Sequence, residues 1–390
     1  MVRTSILVIA FDMLHDADHR PPRYARPRMK AAVLNDYARP LDLEDVEIEP
    51  PRAGEVQVRI GATGVCHSDY HVIKGEWKYG LPMILGHEAA GVVEAIGPNV
   101  AGVKPGDHAV LSFRPACGVC RLCTMGRSVL CEGRPGDRFK MHDGTARVHR
   151  NGQDLLVLGR VGSFAEHVVV PAEQVIPVRH DVPMDVLALI GCAVTTGVGA
   201  VINAAKVEPG SSVAVIGCGG VGLNVIQGAA LVSAGRIIAV DLLDNKLEYA
   251  RQFGATDAVN ASIGDPVEQV RELTGGGVDY AFEVIGNGKT VEQAIQMTRA
   301  AGTACIVGMA PQGARATFDP LLFVNRETKL IGTWYGSARP RIDFPRMIEL
   351  TMAGKLKVQE LISRRYTLDE INEGFERLSR GEVARGVIVF

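Results

Sequence analysis

The sequence predicts an α/β protein in which a β-rich region precedes a doubly wound parallel sheet. Three observations predict it. Short alternating strands broken by Gly/Pro turns run from residue 29 to about 193, strand and helix patterns then alternate from about 195 to 333, and a glycine-rich turn, IGCGGVG (216–222), joins the first of those later strands to its helix.

The first convincing strand is MKAAVLNDY (29–37). VQVRI (56–60) and VVEAIG (92–97) alternate apolar and polar residues, as half-buried antiparallel strands do. Downstream, SVAVIG (212–217) leads into a helix over about 221–233, and RIIAVD (236–241) into KLEYARQFGA (246–255). DAVN (257–260) precedes a helix near Glu268, VDYAFEVIG (278–286) one near Glu292, and TACIVGM (303–309) completes the series. The last 57 residues, 334–390, hold two helical patterns and a strand, GVIVF, expected to return to the first domain. The predicted organisation is therefore a β-rich domain over 29–193 with 334–390, and a cofactor domain over 194–333 inserted between them.

A chain of 390 residues, 47% hydrophobic and 22% charged, has material for two cores. Its net charge of −2 supplies no field for nucleic acid or an anionic membrane, so neither is an expected partner. Residues 186–205 carry no charge but include Gly191, Thr195, Thr196, Gly197, Gly199 and Asn203, which reads as a buried helix rather than a membrane span. Residues 1–28 hold an apolar run, SILVIAF (5–11), too short for a secretory signal, then HDADHRPPRYARPR (15–28), polar and broken by prolines; they read either as a disordered extension or, the favoured reading, as lying before a start at Met29.

Six of the eight cysteines fall into metal-ligand patterns, which implies reduced thiols and a cytoplasmic protein. Cys117, Cys120, Cys123 and Cys131 lie close along one loop, the requirement of a closed tetrahedral structural zinc site. Cys66, His87 and Cys192 supply two thiolates and an imidazole, a set that holds a catalytic zinc with one open position. Gly217, Gly219 and Gly222 make the dinucleotide fingerprint, with Gly220 and Val221 at the helix mouth where a pyrophosphate would sit. Asp241, 24 residues after Gly217, ends the next strand, where a carboxylate accepts ribose hydroxyls and repels a 2′-phosphate; NAD is expected over NADP. Lys246 could reach the same ribose.

Together these residues resemble the zinc-dependent alcohol dehydrogenases of the medium-chain dehydrogenase/reductase superfamily, liver-type members with two zinc sites, from residue 29 to 390. The resemblance implies a GroES-like catalytic domain, a Rossmann cofactor domain, two zinc ions per chain and hydride transfer between an alcohol and NAD. It assigns Cys66, His87 and Cys192 to the catalytic zinc and the four-cysteine loop to the structural one. Asp69 matches the carboxylate that orients a ligand histidine, and Glu88 the acid behind the metal. Ser68 matches the hydroxyl that takes the alcohol proton, and His71 the imidazole that passes it on to solvent. His67 and Arg385 match pyrophosphate contacts, while Thr196, Val284 and Gly286 match contacts of the nicotinamide half.

Trp77, Phe113, Val157 and Leu158 fall at pocket positions, an apolar lining that suits primary alcohols and aldehydes. Two alternatives share the motifs. One is a thiol-adduct (S-hydroxymethyl) formaldehyde dehydrogenase, whose glutathione-type members carry acids where Trp77 and Tyr79 stand here; Arg134 and Arg138 leave room for another anionic adduct. The other keeps NAD tightly bound and needs an external acceptor. The longer loop between Cys131 and Ser163 resembles that of dimeric members, so a homodimer is expected, with GTACIVGM (302–309) pairing across its axis.

Overall fold

The computed structural model describes residues 26–134, 136–382 and 384–390. The ten strands of the first region are β1 (Arg28–Leu34), β2 (Asp42–Ile48), β3 (Glu55–Val65), β4 (Met83–Ile84), β5 (Ala89–Ile96), β6 (His108–Leu111), β7 (Val148–Arg150), β8 (Gln153–Val157), β9 (His167–Pro171) and β10 (Val175–Val178). Those of the second are β11 (Ser212–Ile216), β12 (Arg236–Asp241), β13 (Asp257–Asn260), β14 (Val278–Glu283), β15 (Thr298–Ile306) and β16 (Lys329–Gly332). The chain ends with β17 (Ile362–Tyr366) and β18 (Arg385–Val389).

β1, β2, β7, β8 and β4 close a small barrel. Beside it runs a seven-stranded sheet in the order β10-β6-β5-β3-β18-β17, with β9 also on β3. The antiparallel pairing of β18 with β3, Gly386 opposite Val65, ties the end of the chain to the first region. Alternation explains the strand faces: Val56, Val58 and Ile60 are fully buried, while Gln57 and Arg59 between them are not.

The second region is a parallel sheet ordered β13-β12-β11-β14-β15-β16. Its strand order reverses between β11 and β14, the switch point where open α/β sheets bind ligands. Helices cover both faces. Val213 and Val215 of β11 pack into one core cluster, whereas Ala214 and Ile216 pack into another on the opposite face.

Residues 186–205 lie within a helix, Met184–Ala205, that is almost entirely buried. It is one continuous rod, so the expected boundary at 193/194 falls inside it. Two of its turns, Ile190–Val194 and Ala200–Ala205, are π-helical.

Three expectations change. Residues 1–25 of the expected disordered extension lie outside the described residues, but 26–28 are engaged: Arg26 pairs with Glu49 at 2.6 Å, Pro27 O accepts from Ile48 N, and Arg28 opens β1. The segment 302–309 is not a sheet edge, because β15 lies between β14 and β16; the edge on that side is β16, a strand hidden in the sequence by its short length. The 131–163 loop contains β7 and β8 and so forms part of the barrel wall.

Candidate active site: a buried Cys–His–Cys cluster beside a dinucleotide turn

Cys66 caps the helix His67–Ile73 in extended conformation, which turns its thiol inward as β3 ends. His87 follows Gly86, whose φ of +91° lets the backbone bend sharply before the imidazole enters the core. Cys192 sits in the π-turn Ile190–Val194, a local widening of the kind often found at functional sites. The ligand atoms of these three residues lie within 4.8 Å of one another, with Cys192 Sγ 3.4 Å from His87 Nε2. No fourth Cys, His, Asp or Glu joins them among the described residues. Two thiols, one imidazole and an open side fit a catalytic zinc.

Asp69, wholly buried on the first turn of the helix, fixes the imidazole. Its Oδ1 accepts from Gly86 N at 2.9 Å and lies 3.2 Å from His87 Nδ1. A proton held on Nδ1 leaves the Nε2 lone pair for a metal. Glu88 is equally buried; its Oε1 accepts from Ala193 N at 2.9 Å, next to Cys192. Burial pushes its carboxyl up to about 7, against the pull of Arg385. Gly64 makes room for it, since a Cβ there would lie 2.4 Å from Glu88 Oε2. The Cys192 thiol beside Cys66 holds the latter well below the usual thiol range, as a ligand sulfur requires.

The four loop cysteines also bring their sulfurs within 4.8 Å of one another. Backbone amides point at them: Cys117 N donates to Cys131 Sγ and Cys120 N to Cys117 Sγ, each at 3.3 Å. Such donors stabilise thiolates, so the loop is shaped for a closed metal site.

The dinucleotide turn follows β11. Gly217 adopts φ +99°, and Gly222 packs where a Cβ would lie 1.8 Å from Gly217 O. Gly219 faces open space, as the approach of a pyrophosphate requires. Arg385 lies against this turn, its Nε 2.4 Å from where a Cβ on Gly220 would stand. Only 3% exposed, it leaves Nε and Nη2 without hydrogen-bond partners among the described residues. A buried, unpartnered guanidinium at a helix N-terminus fits a dinucleotide pyrophosphate.

Asp241, at the end of β12, accepts from Cys218 N and Leu242 N at 2.8 Å each, so it also braces the turn. Lys246 lies on the helix Asp244–Gln252, and Val221 is half-buried within Gly220–Leu231. Val284 and Gly286 follow β14 across the switch point; Gly286 N donates to Glu283 Oε1 at 2.8 Å. Thr196, half-buried, stands one turn beyond Cys192 on the same helix. His67 is exposed and Ser68 half-buried on the helix that follows Cys66.

Comparison with known proteins agrees with this geometry. Residues 52–180 match the alcohol dehydrogenase GroES-like domain and 220–353 the zinc-binding dehydrogenase family. The chain is 41% identical over 377 residues to an alcohol dehydrogenase class-3 of Cereibacter sphaeroides, covering 93% of this chain and 100% of that one. It is 39% identical to a probable S-(hydroxymethyl)glutathione dehydrogenase of Schizosaccharomyces pombe, covering 92% and 96%. The crystal structure of benzyl alcohol dehydrogenase from Acinetobacter calcoaceticus superposes with a TM-score of 0.88 at 33% identity, covering 93% and 99%. The chain belongs to the zinc-dependent alcohol dehydrogenases of the medium-chain dehydrogenase/reductase superfamily.

This alcohol dehydrogenase is a zinc enzyme that uses NAD. Its expected pocket residues separate into two groups. Trp77, Val157 and Leu158 pack on one core cluster, whereas Phe113 sets its edge on His87, with centroids 5.1 Å apart. Tyr335, which sequence patterns did not single out, completes the wall: its ring lies 4.1 Å from Phe113 and its hydroxyl donates to Gly191 O, fixing the π-turn that carries Cys192. Next to Phe113, a cavity of about 300 Å³ is lined by Arg114, Arg134, Arg138, Arg160, Cys131 and Trp334. Arg114 stacks on Trp334 at 4.2 Å, and Arg160, 2% exposed, donates to the carbonyls of Lys140 and Asp137. Burial first, and neighbouring guanidinium groups next, hold Arg114 below the usual arginine range. Glu173, on Arg134 at 2.6 Å, and Asp137, whose charge acts on Arg160, offset part of this crowding.

Proposed function

We propose that this dehydrogenase oxidises the hydroxymethyl adduct of formaldehyde with an anionic low-molecular-weight thiol, with NAD as acceptor. The observation that carries the reading is the four-arginine cavity that begins at Arg114, next to Phe113 in the chain, where Arg138 and Arg160 crowd the Arg114 guanidinium. A carboxylate-bearing thiol would supply a counter-anion through charge-assisted bonds. Relatives named S-(hydroxymethyl)glutathione dehydrogenase, among them that of Paracoccus denitrificans at 41% identity, support the same class over simple primary alcohols. Trp77 and Tyr79, in place of acids, favour a thiol whose far end differs from that of glutathione.

Cys66, His87 and Cys192 would hold the catalytic zinc, and Cys117, Cys120, Cys123 and Cys131 the structural one. Bound zinc supplies a Lewis acid at the hydroxyl oxygen, and NAD supplies the hydride acceptor. Asp69 orients His87; Phe113 and Tyr335 exclude water from one side; Ser68 takes the hydroxyl proton and His71 passes it to solvent. Arg385, His67 and the glycine turn would seat the pyrophosphate, Asp241 and Lys246 the adenosine ribose, and Thr196, Val284 and Gly286 the nicotinamide.

The assembly proposed is a cytoplasmic homodimer formed along the free edge of β16, where Leu321, Leu322, Val324 and Leu330 are exposed. The chain is proposed to divide into a catalytic domain, 29–193 with 334–390, and a cofactor domain, 194–333.

The test is NADH formation from formaldehyde premixed with glutathione or other anionic thiols, against benzyl alcohol. Arg114→Ala and Arg138→Ala should raise KM for the adduct at least about tenfold while leaving benzyl alcohol turnover unchanged, since each charge-assisted bond is worth about 1.5–3 kcal/mol. Equal effects on both substrates would defeat the adduct reading.

A further inference from the structure

The helix His67–Ile73 ends in a wrap that brings Glu76 back onto it. Gly75 takes φ +72°, Gly75 N donates to Val72 O, and Glu76 N donates to His71 O, each bond at 2.9 Å. This is the Schellman pattern, in which the residue after the left-handed glycine lies over the third residue from the helix end. An apolar contact frequently joins those two positions. Here they are Glu76 and His71, and Glu76 Oε2 lies 2.5 Å from His71 Nδ1.

A second contact holds the imidazole from its face. Trp77 stacks on it with centroids 4.6 Å apart and planes at 26°. The indole N–H donates to Ala310 O at 3.3 Å, beyond the end of β15, so the ring is anchored across the cleft. Tyr37 secures the loop itself: its hydroxyl donates to Tyr79 O and accepts from Tyr79 N. His71 is therefore oriented by a carboxylate, a stacked ring and a pinned loop.

We propose that Glu76 is a positioning residue for proton removal, acting through His71; this rests on the relay role given to His71 above. With Nδ1–H donated to Glu76, the lone pair of Nε2 is the basic site left on the ring. The substrate O–H bond breaks, its proton leaves by way of Ser68, and an N–H bond forms at Nε2. Glu76 keeps its hold on Nδ1–H and stabilises the imidazolium, and the Nε2 proton then departs to water. Bound NAD would take the hydride separately. The same arrangement explains why Trp77 packs on His71 instead of standing with Phe113 at the metal.

The test compares Glu76→Ala, Glu76→Asp and His71→Gln in the zinc-loaded protein, using whichever of benzyl alcohol or formaldehyde with glutathione the parent turns over. Glu76→Ala should slow single-turnover NADH formation about tenfold, part of the hundredfold or more that a positioned general base supplies. Glu76→Asp should recover most of the loss, and added imidazole should accelerate Glu76→Ala. In the His71→Gln background, Glu76→Ala should have no further effect. Nitrogen-15 NMR of labelled histidine should show His71 with a bare Nε2 in the parent and mixed tautomers in Glu76→Ala. A slow His71→Gln beside a Glu76→Ala with parental rate and tautomer would overturn the proposal alone. A His71→Gln with parental rate would overturn the relay as well.

Discussion

The guanidinium of Arg385 joins the metal site to the cofactor turn: its Nη1 lies 3.5 Å from Glu88 Oε2 and donates to Val65 O, its Nε lies against Gly220, and Nε and Nη2 have no partners among the described residues. One buried cation thus balances the acid behind the metal cluster and offers its free donors to a pyrophosphate. Arg385→Ala should weaken NAD binding at least about tenfold by calorimetry, the scale of a lost hydrogen bond to a charged group. It should also lower the melting temperature, because a buried acid stripped of its partner is strongly destabilised. Glu88→Gln added to Arg385→Ala should recover part of the melting temperature but none of the NAD affinity.

Cofactor choice should follow Asp241. Asp241→Asn keeps an oxygen for one of the two amides, Cys218 N or Leu242 N, which now donate to separate carboxylate oxygens, and removes the charge that repels a 2′-phosphate. The ratio of kcat/KM for NADP to that for NAD should rise about tenfold or more. An unchanged ratio would remove Asp241 from the ribose site.

The two metal clusters should be separable. Cys192→Ala should abolish turnover and cut zinc by elemental analysis from two ions per chain to one, with the fold intact. Retained activity at full zinc content would defeat the ligand assignment. Cys120→Ser should also cost one zinc, but with a large loss of thermal stability, since structural zinc contributes roughly 10 kcal/mol or more to folding in small zinc domains.

Acid sensitivity should trace partly to Glu173. Burial raises its carboxyl, but His142 and Arg134 win and hold it at about 2, against an ordinary value of 4.5. A depressed carboxylate stabilises the fold fully above the ordinary value and loses that contribution as pH falls toward 2. Glu173→Gln should therefore flatten the fall in melting temperature between pH 4.5 and 2 while lowering it at pH 7. Parallel curves for parent and variant would show that the pair contributes nothing.

What could be read from sequence is what the chain writes locally. The four-cysteine loop, the run from Cys66 to His71 and the turn from Gly217 to Gly222 each span a few helical turns or one loop, so spacing alone constrains their geometry. Asp69 and Glu88 were legible only through their neighbours in the motif. The arginine cavity was half legible: Arg134 and Arg138 lie near the cysteine loop, but Arg160 reaches it through the barrel wall, and Trp334 returns from beyond the parallel sheet. Tyr335 carried no signal, because its role depends on a contact with Gly191 that spans 144 residues. The edge status of β16 likewise depends on strand order, which local pattern does not encode. The sequence H-V-I-K-G-E (71–76) did hold the Glu76–His71 contact, in the glycine that ends the helix.

The helix Met184–Ala205 has a kinematic consequence. Cys192 and Thr196 ride one turn apart on it, and Asn203 near its far end is bonded to Gly336 and Asp343. A proposed metal ligand and a proposed wall of the nicotinamide site are therefore fixed to a single axle. The Trp77–Ala310 bond ties the mouth of the cleft at a second point, away from this axle.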